Sequence, residues 1–505
     1  MFASIETWLW LLMWSNLALS VFPSRGKTEK MYFSIIADDL RPSLGCYGDT
    51  LAKSPNIDQL ASKSQTFLNA FAQVTSCLRS SRTSLLTSRR PDTTRVYDFV
   101  FHPGIASNHT DDYPYSWSIP AYHPTSFIFE KKKMCKGEDG KLHANLTMCS
   151  ECNGAVRLLK TRVSDDTPFF LAVGFHKPIY HSGSHRYKTY PPILYMLLYP
   201  IDNMTLALDP DVPILLPLWE DVQKLNISFP YGPIPKDFQL RIRQHYYAAV
   251  SYMDSQVGRL LSALDELGLA NNTVVVFTSD HGWSLGEHGE WAKYSNFDVA
   301  TRVPLIFYVP NVTTPSGQPL GYTFPFVDIF NKPELNDGVT ENMVELVDIF
   351  PTLSYMSGLI APEPCPDFSF QEELCTEGDN LAYTFYQSDE TKDAEKVAFS
   401  QYPRPADTPQ VRENSDLPDL KDIKVMGYSV RCWYYRYTLW LGFNPKTFQV
   451  NLTDVHAGEL YMLEGDPGQD RNIYNGTDHT VMIRKLASLS HVSCIFFQKT
   501  LRRRA

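Results

Sequence analysis

The chain of 505 residues has no excess of positive charge, since 46 Lys and Arg residues face 56 Asp and Glu residues. The formal net charge is −10 at pH 7. General binding to nucleic acid and other polyanions needs a clustered basic surface, so this composition predicts no nucleic-acid partner. A basic pocket within an acidic surface remains compatible with it.

Long apolar runs are also scarce. Only residues 7–22 approach the length of a membrane span, so no stable span is expected elsewhere. This run and the polar residues 24–30 after it fit a signal peptide, although Glu6 stands where a positive charge is usual. We expect residues 1–25 to be a cleaved signal, and a membrane anchor or an incorrect start is the alternative.

Eight Asn-x-Ser/Thr sequons follow this leader, more than a cytosolic chain would be expected to carry. Together with the apolar leader they predict a glycoprotein of the secretory pathway. The acceptor residues are Asn108, Asn145, Asn203, Asn226, Asn271, Asn311, Asn451 and Asn475.

The nine cysteines include two pairs that bracket short polar loops, Cys135 with Cys149 and Cys365 with Cys375. Both pairs predict local disulfides in an oxidising compartment, with buried free thiols as the alternative. Cys149 and Cys152 have the spacing of a redox or zinc motif. No second pair lies at the right distance, so no zinc role is expected.

Four short apolar runs predict buried strands, at residues 31–37, 169–174, 273–278 and 304–309. Continuous apolar segments of this length are typical of strands covered on both faces. Residues 238–267 carry apolar side chains at three- and four-residue spacing, which predicts a helix. This alternation predicts the α/β class, with a mainly parallel sheet flanked by helices.

A Pro- and acid-rich zone at residues 361–396 indicates a domain boundary. After it, residues 424–442 have the alternating aromatic pattern of antiparallel strands. We therefore predict a catalytic α/β domain over residues 31–375, a linker over 376–396, and a smaller α+β domain over 397–495. The sequence contains no internal repeat.

Polar side chains follow three of the predicted strands. Asp38 and Asp39 follow the first, His176 follows the second, and Asp280 and His281 follow the third. Each alone fits a turn, a helix cap or an exposed position. Ligands of open α/β sheets bind beyond the carboxyl ends of the strands, so these groups are expected to converge. Paired carboxylates need a divalent cation to offset their repulsion, and oxygen ligands favour Ca²⁺ or Mg²⁺.

The strand followed by Asp38 and Asp39, and the turn Ser-Asp280-His281-Gly, resemble the sulfatase family of alkaline phosphatase-like fold. Longer segments resemble in particular its members that act on iduronate 2-sulfate. The resemblance covers roughly residues 31–480. The matching segments are DDLRPSLGCYGD (38–49), RRPDTTR (89–95), FHPGIASNHTDDYPYSW (101–117), GEHGEWAKYSNFDVATRVPLIFYVP (286–310), SQYPRP (400–405) and GFNP (442–445).

The resemblance implies a lysosomal hydrolase that removes the 2-O-sulfate of iduronate in heparan sulfate and dermatan sulfate. It implies a formylglycine, made from Cys77 by the formylglycine-generating enzyme, whose hydrate attacks sulfur. His102 matches the residue that assists collapse of the covalent sulfate, Arg82 the arginine of the nucleophile motif, and His176 and Lys293 the residues that grip sulfate. The positions that match the ligands of one Ca²⁺ are Asp38, Asp39, Cys77, Asp280 and His281.

The nucleophile segment, residues 77–82, departs from the family pattern Cys-x-Pro-Ser-Arg. Cys77 lies five positions before Arg82 instead of four, and the segment contains no proline. Alignment on Arg82 places Leu78 at the nucleophile position, whereas alignment on Cys77 requires a one-residue bulge. Phe99 also stands where relatives carry a lysine. Relatives have a few dozen further residues before this position, and this chain lacks them.

Three hypotheses therefore remain at the level of the sequence. The first is an active sulfatase that acts on iduronate 2-sulfate. The second is a sulfatase-fold glycoprotein with little or no turnover. The third is a related phosphate-ester hydrolase, which would need a Ser or Thr nucleophile and usually two zinc ions.

Overall fold

The computed structural model describes thirteen stretches of the chain, and the statements below concern these alone. They are residues 30–75, 80–97, 135–136, 142–143, 147–163, 167–178, 193–211, 234–314, 338–360, 362–366, 374–385, 396–404 and 419–476. The predicted signal peptide, Cys77, Phe99, His102 and the predicted Cys135–Cys149 disulfide lie outside the described residues or side chains.

Fourteen strands and eight helices are formed by the described residues. The strands are β1 Met31–Asp38, β2 Gln65–Phe71, β3 Cys135–Lys136, β4 Leu142–His143, β5 Phe170–Pro178, β6 Thr273–Ser279, β7 Ser284–Leu285, β8 Trp291–Ala292, β9 Arg302–Tyr308, β10 Val339–Glu345, β11 Ala398–Arg404, β12 Val425–Arg431, β13 Tyr435–Asn444 and β14 Gln449–Met462. The helices are α1 Pro55–Ala61, α2 Ser80–Thr87, α3 Pro91–Thr94, α4 Thr147–Arg162, α5 Ile193–Met196, α6 Lys236–Glu266, α7 Asp298–Thr301 and α8 Ile349–Met356.

Six strands form the central sheet, in the order β10-β2-β9-β6-β1-β5. β1 pairs in parallel with both β5 and β6, and β10 pairs in parallel with β2. β9 is antiparallel to both of its neighbours, so five of the six strands share one direction. The predicted mainly parallel sheet is confirmed, and all four predicted strands belong to it.

Both faces of this sheet are covered, as the continuous apolar runs indicate. In β1, Phe33 and Ile35 belong to the core cluster that includes the long helix α6, while Tyr32 belongs to the cluster on the opposite face. Burying these side chains contributes roughly 1.5–3 kcal/mol each. The helix predicted over residues 238–267 is confirmed as α6.

The carboxyl-terminal sheet is antiparallel throughout, in the order β11-β12-β13-β14. Gln401 of β11 donates its backbone N–H to the carbonyl oxygen of Gln73 at 2.8 Å, which ties this sheet to the segment after β2. The exact domain bounds stay a prediction. The predicted disulfide between Cys365 and Cys375 is confirmed. Within the described residues, no helix combines the length and apolar character that crossing a bilayer requires.

Candidate active site

The carboxyl ends of β1 and β6 are neighbours in the central sheet, and they bring four predicted site residues together. Asp39 adopts a left-handed backbone conformation, with φ of 63°. Its backbone N–H donates to Oδ1 of Asp280 at 3.2 Å. The next residue, Leu40, donates its N–H to Oγ of Ser279 at 3.0 Å. The two strand ends are therefore joined directly by hydrogen bonds.

The carboxylates at this edge are almost completely buried. Asp38 is 1% exposed, and Asp39 and Asp280 are 0% exposed. One oxygen of Asp38 (Oδ1) and one of Asp39 (Oδ2) have no hydrogen-bond partner. Burying a charged oxygen without a partner costs free energy, and a cation bound to these two atoms would offset that cost. Hard oxygen donors with vacant lone pairs fit a divalent cation such as Ca²⁺.

His281 completes this donor set. Its Nδ1 lies 2.8 Å from the carbonyl oxygen of Gly282, which requires the proton to reside on Nδ1 and leaves the lone pair on Nε2. Burial, and next the positive charge of Lys293, lower the pKa of His281 well below its usual value, so the ring is neutral. Donor atoms of Asp38, Asp280 and His281 lie within 4.8 Å of one another, close enough to share one cation.

Two cationic side chains face the same carboxylates. Lys293, 6% exposed, places Nζ 2.9 Å from Oδ1 of Asp39 and 3.2 Å from Nε2 of His281. Arg82, at the start of α2, places Nη2 3.3 Å from Oδ2 of Asp38 and 3.2 Å from Oδ2 of Asp280. The Arg82 side chain keeps 31% exposure, so this guanidinium lies at the mouth of the cluster.

The ionised form of Asp39 is disfavoured mainly by burial, and also by repulsion from its neighbouring carboxylates. Burial raises its pKa well above the usual value, the ammonium of Lys293 opposes this rise, and the charges of Asp38 and Asp280 add to it. A divalent cation would relieve both the burial penalty and the repulsion.

The other predicted site residues are only partly described. His176 belongs to β5, whose end pairs with the end of β1, so its backbone lies at the same sheet edge. Its side chain is outside the described part of the structure. Cys77 and His102 are also outside it, and their predicted roles stay predictions.

A second layer of residues behind the carboxylates was not predicted from the sequence. Glu287 forms ion pairs with Arg41 at 2.7 Å and with Arg243 at 3.4 Å. The hydroxyl of Tyr246 contacts the backbone on both sides of Leu40. The apolar spacing of residues 238–267 predicted a helix, and it carried no information about the partners of Arg243 and Tyr246.

Comparisons with known proteins show the family to which the chain belongs. A sequence model of the Sulfatase family matches residues 148–359. Mouse iduronate 2-sulfatase is 52% identical to the chain over 521 aligned residues, which cover 90% of this chain and 92% of the mouse protein. Human iduronate 2-sulfatase is also 52% identical, covering 87% of this chain and 90% of the human protein.

Solved structures share the fold at much lower identity. The crystal structure of a putative sulfatase from Bacteroides thetaiotaomicron has a TM-score of 0.64 and 18% identity, and the match covers 94% of each chain. At this identity the likeness shows the fold alone.

Proposed function

Because the chain belongs to the sulfatase family, we propose that it hydrolyses the 2-O-sulfate ester of iduronate in heparan sulfate and dermatan sulfate. The observation that carries the proposal is the buried cluster of Asp38, Asp39, Asp280 and His281, with the cationic side chains of Lys293 and Arg82 against its carboxylates. The 52% identity to iduronate 2-sulfatases over about nine tenths of the chain supports the substrate.

The cation at this site is proposed to be one Ca²⁺, held by Asp38, Asp39, Asp280 and His281 together with the residue at position 77. When bound, such an ion supplies positive charge that holds a sulfate oxygen and lowers the pKa of the nucleophile. Three carboxylates and one neutral imidazole match the preference of Ca²⁺ for hard oxygen ligands better than a site rich in thiolates or imidazoles would.

Lys293 and Arg82 are proposed to bind the sulfate group. Negative charge spreads over the sulfuryl oxygens during transfer, so each cation aimed at them stabilises the transition state. The Arg82 side chain is 31% exposed at the mouth of the cluster, a suitable position for meeting an incoming anion. We assign His176 to the leaving-group side, since the end of β5 adjoins the end of β1.

The nucleophile is proposed to be a formylglycine, made from Cys77 by the formylglycine-generating enzyme, with His102 assisting release of the sulfate. Arg82, five positions after Cys77 in the sequence, contacts both Asp38 and Asp280. Ser81 donates its hydroxyl hydrogen bond to the carbonyl oxygen of Asp280. These contacts anchor the end of the nucleophile segment beside the carboxylates, which supports a nucleophile in this segment.

The compartment is proposed to be the lysosome, reached through the secretory pathway, or the cell exterior. The disulfide between Cys365 and Cys375 fits an oxidising route. All five sequon asparagines in the described residues are exposed, as glycan acceptors must be. They are Asn203, Asn271, Asn311, Asn451 and Asn475.

A second candidate is a sulfatase-fold glycoprotein with little turnover, and the sequence of residues 77–82 favours it. The extra residue between Cys77 and Arg82, with no proline, differs from the short linear motif that the modifying enzyme uses. An unmodified Cys77 could attack sulfur once, but it could not release sulfate by collapsing to an aldehyde.

The test is to express the chain together with the formylglycine-generating enzyme, and to determine the mass of the peptide that contains Cys77. Conversion of the thiol to an aldehyde lowers this mass by about 18 Da because a sulfur is replaced by an oxygen and two hydrogens are lost. The same protein is then assayed on a disaccharide with 2-sulfated iduronate at acidic pH. Release of sulfate that is lost on Cys77→Ala supports the first candidate, whereas an unmodified peptide and no release support the second.

A further inference from the structure

The turn that carries Asp39 is held from behind by one side chain of the long helix α6. The hydroxyl of Tyr246 donates to the carbonyl oxygen of Asp39 at 2.9 Å. The same hydroxyl accepts the backbone N–H of Arg41 at 3.2 Å. Tyr246 is 3% exposed, so no bulk water can take over these bonds.

Asp39 needs such support because its backbone is in the left-handed region. A non-glycine residue there is strained and persists only where its surroundings hold it. Four backbone groups of this turn are anchored. Asp280 accepts the N–H of Asp39 and Ser279 accepts the N–H of Leu40, while the hydroxyl of Tyr246 holds the carbonyl of Asp39 and the N–H of Arg41. Ser279 is the last residue of β6 and Asp280 follows it, whereas Tyr246 holds the turn from the helix side.

The helix that provides this hydroxyl is also tied to the loop that leads to Lys293. Arg243, one turn earlier in α6, donates to the carbonyl oxygen of Leu285 at 3.1 Å. It also lies 3.4 Å from Glu287, which pairs with Arg41 at 2.7 Å. Residues three apart share a helix face, so Tyr246 and Arg243 hold the two loops of the site against one rigid element.

We propose that Tyr246 is a positioning residue that sets the affinity of the site for its divalent cation. Its hydroxyl fixes the backbone at Asp39, and this backbone aims the carboxylate into the cluster. A phenol does this with one atom, because it donates to one group and accepts from another. The inference rests on the proposed cation site and extends it beyond the residues that contact the ion.

Tyr246→Phe is the direct test, because it removes one oxygen and leaves the ring to fill the same space. The matched control is Tyr247→Phe. Tyr247 is the next residue of the same helix, is also 3% exposed, and donates its hydroxyl to Oδ2 of Asp49 at 3.0 Å, away from the carboxylate cluster. Both variants lose one buried hydrogen-bonding group.

Cation affinity is measured by calorimetric titration of Ca²⁺ into protein freed of metal with a chelator. We expect Tyr246→Phe to raise the Kd for Ca²⁺ by about tenfold or more, since misplaced ligands lose much of their interaction with the ion. Tyr247→Phe should bind Ca²⁺ like the unchanged chain. Melting temperatures in the presence of chelator should fall by similar amounts in the two variants, which separates positioning from general stability.

Ser279→Ala provides a second route to the same turn, because Oγ of Ser279 accepts the N–H of Leu40 at 3.0 Å. Ser279→Ala should also raise the Kd for Ca²⁺. It takes the place of Tyr246→Phe as the test of the turn if that variant does not fold. An unchanged Kd in a folded Tyr246→Phe variant overturns the inference, as does an equal rise in Tyr247→Phe. If the unchanged chain itself does not bind Ca²⁺, the proposed cation site fails and the inference fails with it.

Discussion

The ammonium group of Lys293 makes two contacts at once. Its Nζ lies 2.9 Å from Oδ1 of Asp39 and 3.2 Å from Nε2 of His281. Asp39 and His281 are two of the four proposed cation ligands in the described residues. Lys293 therefore offsets the carboxylate charge, and a divalent cation that binds the same atoms has to act against its repulsion. This relationship makes the affinity for the cation depend on a residue proposed to bind sulfate.

Lys293→Met is expected to strengthen Ca²⁺ binding and to weaken catalysis. The ammonium and a cation bound to the same atoms would repel each other by about several kcal/mol at the effective dielectric of a protein. Without the ammonium, the Kd for Ca²⁺ should therefore fall by about tenfold or more. Loss of one cation aimed at the sulfuryl oxygens should lower kcat by on the order of a hundredfold. Calorimetry measures the first effect, and the disaccharide assay the second.

Lys396→Met is the control for this substitution, because the Lys396 ammonium donates to the hydroxyl of Tyr383 and has no contact with the carboxylate cluster. It should leave both the Kd and kcat unchanged. Weaker Ca²⁺ binding by Lys293→Met would show that the ammonium supports the ligands instead of competing with the ion.

Asp280→Asn is expected to abolish the stabilisation of the protein by Ca²⁺. Asp280 is 0% exposed and accepts the N–H of Asp39, so its carboxylate is central to the proposed site. A ligand that binds only the folded state raises the melting temperature, and without binding this shift disappears. The measurement is the difference in melting temperature between Ca²⁺ and chelator.

Asp254→Asn is the matched control for this loss of a buried carboxylate. Asp254 accepts the backbone N–H of Ile57 at 2.8 Å and supports the start of α1. This variant should melt lower in both conditions and keep the full Ca²⁺ shift. If the unchanged chain melts alike with and without Ca²⁺, the cation site is wrong.

Glu287 is expected to contribute stability that is lost in acid. Burial alone would raise the pKa of Glu287, but Arg41 and Arg243 outweigh it and hold the pKa at about 2. Because the folded pKa is depressed, this contribution is complete above the unfolded value of about 4.3 and is lost as the pH falls towards 2. The shift corresponds to roughly 3 kcal/mol.

The variant Glu287→Gln should therefore melt well below the unchanged chain at pH 7 and at pH 5. The difference in melting temperature between the two proteins should narrow as the pH falls from 4 to 2, because the unchanged chain then loses its own ion pairs with Glu287. A gap that stays constant over this range would mean that Glu287 acts through packing and not through its charge.

Sulfatase turnover is expected to be slow compared with mouse iduronate 2-sulfatase in the same assay. The sequence resemblance places Phe99 where the family carries a lysine, and one missing cation would cost on the order of a hundredfold in rate. The shifted spacing of Cys77 and Arg82 adds to this, since a displacement of about 1 Å in a reacting atom costs about as much again. Robust turnover that disappears on Cys77→Ala would contradict this prediction.

The sequence alone determined the class of fold and the composition of the carboxylate cluster. Two apolar runs, each long enough for a buried strand but short for a helix, precede the residues of this cluster. Asp38 and Asp39 follow the first run, and Asp280 and His281 follow the second. The carboxyl ends of parallel strands meet at one edge of a sheet, so their convergence followed from local patterns. The disulfide between Cys365 and Cys375 was also predictable, because the two residues are close in sequence.

Only the tertiary structure decided the direction of β9 and the partners of the second layer. A short apolar run specifies a buried strand but has no polarity, so the antiparallel pairing of Arg302–Tyr308 could not be foreseen. Tyr246 contacts Asp39, and Glu287 contacts Arg41, across more than 200 positions of sequence. Such pairs arise because the central sheet and α6 bring distant loops together, and periodicity indicates burial without specifying the partner.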